Sequence, residues 1–103
     1  MKKTYTIVHV DTDQGVRAWF PDFPDLIIPG DRLADTLFYA SFGLQEHIDK
    51  LRQAGAPIPE PTTPDLWAIH KQYPEALIGF ANFDDENSAM QVIRRAYSKD
   101  SAN

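Results

Sequence analysis

The sequence predicts an α+β (α/β layer) domain. A three-stranded antiparallel meander and a fourth strand form the sheet, and one main helix packs on one face. Three observations carry this reading. Apolar and polar residues alternate over residues 4–10 and again over 16–20, the two-residue period of strands, with a polar, glycine-ended stretch between them. Leu33, Leu37, Ala40, Leu44, Ile48 and Leu51 then recur at steps of four and three, a single helical stripe. Residues 76–83 are apolar on both faces, as expected of a strand lying centrally in a sheet.

The first strand places Tyr5, Ile7 and His9 on one face and Thr6, Val8 and Val10 on the other. Asp11-Thr12-Asp13-Gln14-Gly15 reads as a hairpin loop, and Val16, Ala18 and Phe20 then oppose Arg17 and Trp19. Pro21 and Pro24 interrupt the ladder, since proline offers no amide donor. Leu26-Ile27-Ile28 is a short third strand stopped by Pro29-Gly30. Asp31 is the expected N-cap of the main helix and Gly55 its C′ residue.

Residues 56–64 hold four of the eight prolines and form an extended connector. Pro64 is expected at the first position of a short helix with Leu66, Trp67, Ile69 and His70 on its apolar side, ended by Tyr73-Pro74. Asn87 or Ser88 caps a last helix through Tyr97, with Met90, Ile93 and Ala96 or Tyr97 facing inward. The order is β-β-β-α-(short α)-β-α. One domain over residues 1–97 is expected, with 98–103 a disordered tail.

A chain of 103 residues has room for one core. It contains no cysteine, which excludes a disulfide scaffold and any thiolate metal site. No apolar run approaches membrane-spanning length and no signal h-region follows Lys2-Lys3, so a cytoplasmic location without membrane association is expected. The net charge of −5 repels a phosphate backbone, and no direct binding of nucleic acid is expected. Arg94, Arg95 and Lys99 read as cations complementing a helix end. A negative field suits a basic partner.

Phe20-Pro21-Asp22-Phe23-Pro24, Gly30-Asp31-x-Leu33, Leu37, Ala40, Leu44, His47-Ile48, Gly55 and Ile58-Pro59-Glu60-Pro61 occur in one order and at one set of spacings over residues 4–84. The conjunction resembles the HicB family of antitoxins. The resemblance implies a partial RNase H-like fold and a partner, HicA, a small basic mRNA-cleaving toxin that the antitoxin blocks. Many members carry a C-terminal DNA-binding domain. The roughly twenty residues after the fourth strand are too few for one, which leaves a standalone relative or the N-terminal part of a longer protein. The polar ending favours the standalone form.

The resemblance implies an antitoxin or antitoxin-derived binding module, not an enzyme. The partner-binding candidates are the acidic turns at Asp11, Asp13, Asp22 and Asp25, with Phe23 beside them. Asp25 stands where the family usually has glycine. Phe38 and Phe42, spaced i, i+4 off the core stripe, and Tyr39 between them are candidates for an oligomer interface, a dimer or higher, unless the short or the last helix covers them.

Two other functions would draw on different residues. A metal-dependent nuclease remnant would draw on Asp11, Asp13, Glu46, Asp84 and Asp85, but Asp11 and Asp13 read as turn formers, Asp84 and Asp85 as first-turn residues of a helix, and Glu46 sits beside His47 away from Leu44 and Ile48. An orphan homo-oligomeric domain would use the Phe38 face. His9, His47 and His70 lie on separate elements without ligand spacing, and there is no phosphate loop or nucleophile elbow. No catalytic residue, metal or cofactor is expected.

Overall fold

The alternation of the N-terminal third becomes three sequential antiparallel strands, β1 (Lys2–Thr12), β2 (Gly15–Phe20) and β3 (Phe23–Gly30). They are followed by α1 (Leu33–Gln53), α2 (Leu66–Gln72) and β4 (Leu77–Asp84). The structure is a computed structural model and describes residues 2–84; the last helix, Asp85 and the tail expected at 98–103 lie outside the described residues. No helix among the described residues is long and apolar enough to cross a membrane.

The four strands form one antiparallel sheet in the order β3-β2-β1-β4. Residues directly opposite share a face, so the registers His9↔Ala18 and Tyr5↔Ala81 define the face that meets α1. Tyr5, Ile7, Ala18, Phe20, Ile28, Ala81 and Phe83 from the sheet close on Ala40, Leu44 and Ile48 of the helix, all buried. Full burial of one such aliphatic side chain is worth about 1.5–3 kcal/mol. Leu26, Leu51 and Ile58 seal the margin, and the Arg52 guanidinium lies 5.0 Å from the centre of the Phe83 ring.

Four expectations change. β4 lies at the edge of the sheet, beside β1, and its second apolar face (Ile78 and Phe80) lies on the side away from α1. β3 is longer than expected because it tolerates Pro24: the register jumps from Trp19↔Ile27 to Phe20↔Phe23, so residues 24–26 bulge from an edge strand. Asp31 does not cap α1. The N-cap is Arg32, and Asp35 reaches back to accept the backbone N–H groups of Asp31 (3.1 Å) and Arg32 (3.0 Å). In α2 the cap is Asp65, accepting from the Ala68 N–H at 3.2 Å, so Pro64 precedes the cap.

The helix stripe also rotates at its start. Thr36 is fully buried, while Leu33 and Leu37 are 38% and 52% exposed. The cause lies on the sheet, where the core includes a histidine. His9 is buried, and its Nδ1 donates to the Thr36 hydroxyl at 2.9 Å, which itself donates to the Leu33 carbonyl at 3.1 Å. A buried polar group needs a partner, and Thr36 supplies it.

The His9 Nε2 has no hydrogen-bond partner among the described residues, and burial pushes the imidazole below its ordinary value of 6.5. The folded state therefore prefers the neutral ring. The stability it contributes is complete above about 6.5 and is lost as pH falls from there through the lowered folded value. Urea titrations of the parent chain and of His9→Met should show the parent midpoint falling more steeply over the acid side of 6.5. Parallel pH profiles would contradict this account.

Candidate protein-binding surface

The two motifs richest in proline meet at one end of the sheet. Asp22, in the turn between β2 and β3, accepts hydrogen bonds from both the backbone N–H and the hydroxyl of Thr62. The Tyr5 hydroxyl donates to the Pro59 carbonyl at 2.7 Å, and Lys3 pairs with Glu60 at 2.7 Å. Burial raises the Tyr5 ionisation above its ordinary value and so preserves the donor. Ile58 packs against the core from the same stretch. The Phe-Pro-Asp turn and the Ile-Pro-Glu-Pro connector are thus one clasp over the N-terminal end of β1. This pairing of Asp22 with Thr62 has no signal in either motif alone.

Phe23 does not belong to an exposed surface. It is 3% exposed and makes edge-on ring contacts with Tyr5 (4.9 Å), Phe20 (6.3 Å) and His47 (5.5 Å). The tight β2–β3 turn sets it directly opposite Phe20 and drives it into the core. Its placement with the partner-binding residues is corrected accordingly.

The four acidic candidates do not converge. Asp11 and Asp13 stand exposed at the β1–β2 hairpin, while Asp22 and Asp25 lie at the far end of β2. Five strand steps separate the two ends, roughly 17 Å at about 3.3 Å per residue. Asp22 serves the clasp and only Asp25, on the bulge, is exposed. The nuclease carboxylates are also dispersed. Asp84 pairs in register with Lys2 at the opposite end of β1 from Asp11, and Glu46 bonds Lys50 at 3.1 Å on the outside of α1. Among the described residues no three His, Asp or Glu side chains gather as a metal site.

What does converge is apolar surface on the first half of α1. Phe38 is 63% exposed and Tyr39 53%, and Phe38 touches both Tyr39 (5.1 Å) and the half-buried Phe42 (5.4 Å). Leu33 and Leu37, assigned by periodicity to the core, are exposed on the same half of the helix. A signal for it exists in the sequence: Leu37-Phe38-Tyr39 are consecutive, and at about 100° per residue three neighbours cannot all point into one core. Asp31 and Asp35 border the patch, lining with Arg17 and Tyr39 a hollow of about 450 Å³. The second helix does not cover it. α2 buries none of its residues, and its Trp67 is 87% exposed.

No family model matches the sequence, and no curated protein does. Among solved structures, a chain of a HicA3 and HicB3 toxin–antitoxin complex superposes with a TM-score of 0.64 at 27% identity, over 79% of this chain and 98% of that one. The crystal structure of antitoxin HicB3 gives 0.60 at 26% identity, again over 79% of this chain. This chain spans 62% of the length of that antitoxin chain. The likeness is to antitoxins rather than to enzymes, and it supports an antitoxin-like role. With its β3-β2-β1-β4 sheet, single packed helix and clasped connector, this chain has the fold of a HicB-like antitoxin.

Proposed function

We propose that this chain is an antitoxin that neutralises a small, basic, HicA-type mRNA-cleaving toxin by covering the surface the toxin needs for RNA. The observation that supports this is the superposition on 98% of a chain taken from a HicA3 and HicB3 complex. The net charge of −5 suits a partner built to hold RNA, and such complementarity speeds association more than it sets affinity. Asp11 and Asp13, exposed at the hairpin, act in that steering role.

The toxin docks on the first half of α1. Its cluster of exposed aromatics (Phe38 and Tyr39) with an acidic border at Asp31 and Asp35 has the arrangement of a protein interface, and the acids match a basic partner. Exposed aromatics in such a patch are the usual anchors. Phe38→Asp should therefore weaken toxin binding by roughly 30-fold or more, the equivalent of about 2 kcal/mol, without loss of folding because Phe38 lies outside the core.

The decisive experiment pairs this chain with the small basic protein encoded beside it and follows RNA cleavage while the chain is titrated in. Cleavage should fall to zero near equimolar ratio. Undiminished cleavage with excess folded chain would overturn the assignment.

A further inference from the structure

We propose that the hollow beside Tyr73 receives an arginine side chain of a basic protein partner, which carries the docking face from α1 across the β1–β2 hairpin. The inference rests on the toxin reading for the identity of that partner only.

The chain between α2 and β4 builds most of the hollow. The Ala76 N–H donates to the Tyr73 carbonyl at 3.0 Å, closing a four-residue turn with Pro74 and Glu75 at its two central positions. Proline favours the first of these because its ring presets the backbone angle required there. Trp19 of β2 meets the Tyr73 ring edge-on at 5.2 Å and fixes it in place. The end of β1 supplies the rest of the lining. Val10, Asp11, Tyr73, Pro74, Glu75 and Ala76 together enclose about 350 Å³. That is the small end of the roughly 300–1,000 Å³ range of ligand pockets, which suits one side chain better than a cofactor.

The lining selects a guanidinium. Asp11 and Glu75 are both exposed, and among the described residues neither carboxylate is in an ion pair. The half-buried Tyr73 ring adds a face on which a planar cation can lie. Val10, Pro74 and Ala76 offer apolar wall to an aliphatic stem. Arginine uses all three at once, since its flat fork spans two acceptors and stacks on an aromatic ring. An ammonium is a compact point charge and forgoes the stacking. An anion is repelled, and no third His, Asp or Glu side chain joins the two acids to hold a metal.

The donor of that arginine is a protein seated on α1, because the hairpin touches both hollows. Gln14 lines the one bordered by Asp31, Asp35 and Tyr39, and Asp11 lines this one. A partner that covers Phe38 and crosses the hairpin reaches Glu75 with the same basic surface. Asp11 then adds a contact to its steering role, whereas Asp13 lines neither hollow and steers only.

Contact and steering separate kinetically, since long-range charge acts mainly on association and a paired charge on dissociation. With the small basic protein encoded beside the chain, the Asp11→Asn, Glu75→Gln double variant should dissociate roughly tenfold faster or more. Tyr73→Leu, which keeps apolar bulk against Trp19, should dissociate roughly threefold faster. Asp13→Asn should slow association and leave dissociation unchanged. Both acids are exposed, so the circular dichroism spectrum of the double variant should match the parent's. Dissociation of the double variant no faster than that of Asp13→Asn, while Phe38→Asp still weakens the complex, would overturn the proposal and leave the toxin reading intact. If no complex forms with the parent chain, the toxin reading fails and N-acetyl-arginine amide decides the hollow. At millimolar concentration it should shift the Tyr73 ring resonances of the parent, more than N-acetyl-lysine amide does, and not those of the double variant. Equal shifts in parent and double variant, or none, would overturn the proposal by this second route.

Discussion

Phe23→Ala should lower the free energy of unfolding by about 3–5 kcal/mol, the usual cost of removing a buried phenylalanine and leaving a cavity. The expectation rests on what the ring touches. Tyr5, Phe20 and His47 all meet Phe23 edge-on, and Leu44 and Ile48 belong to the same core cluster. The gap falls between a turn and a helix held by other contacts, so little collapse is available to fill it. At about 4–8 °C per kcal/mol for a domain of this size, the melting temperature should drop by at least roughly 12 °C. Phe23→Leu, which keeps most of the volume, should recover much of the loss. The comparison also separates two roles. A residue that met the toxin directly would leave the melting temperature alone and weaken binding; Phe23→Ala should do the reverse, with the folded fraction binding as before.

That reversal illustrates what the sequence makes legible. Ala40, Leu44 and Ile48 lie inward, and Gly55, with φ of 69°, ends the helix as its pattern predicts. These are local properties, set by helical period and by the freedom of glycine to take a positive φ. The start of α1 is different. Leu33 and Leu37 satisfy the same period as Leu44, and which of two adjacent stripes turns inward is decided far away in sequence, by His9 seeking Thr36 and by β3 lying against the first turn.

The position of β4 was hidden for a related reason. An apolar second face is the mark of a covered strand, and Ile78 and Phe80 carry it at an edge. In the surface residues the outcome is mixed. Phe38 and Tyr39 stand out as exposed because consecutive aromatics on a helix cannot all be buried. The clasp of Asp22 on Thr62 joins residues forty apart, and no periodicity reaches that far.

Gly15→Ala should cost about 2–5 kcal/mol, combining a backbone conformation that L side chains rarely adopt with an overlap that cannot be relieved by a side-chain rotation. Gly15 closes the β1–β2 hairpin at φ of 106°, and a Cβ there would lie 2.5 Å from the Gly30 carbonyl oxygen. Gly30 is itself pinned, since a Cβ on it would lie 2.8 Å from the Asp35 Cβ and 3.0 Å from the Thr36 Cγ2. The hairpin and the end of β3 therefore meet backbone on backbone, with Gly30 backed by Asp35 and Thr36 of α1, and a methyl group at Gly15 must push the hairpin away from β3. Gly55→Ala provides the control. Its φ of 69° is also left-handed, but nothing lies within 4 Å of the added carbon, so only the conformational cost of about 1–2 kcal/mol applies. If chemical denaturation gave the two variants equal losses, close packing at the Gly15–Gly30 contact would contribute nothing. A larger loss for Gly15→Ala locates a close backbone contact directly beneath Asp31, Asp35 and Tyr39, the border of the face assigned to the toxin.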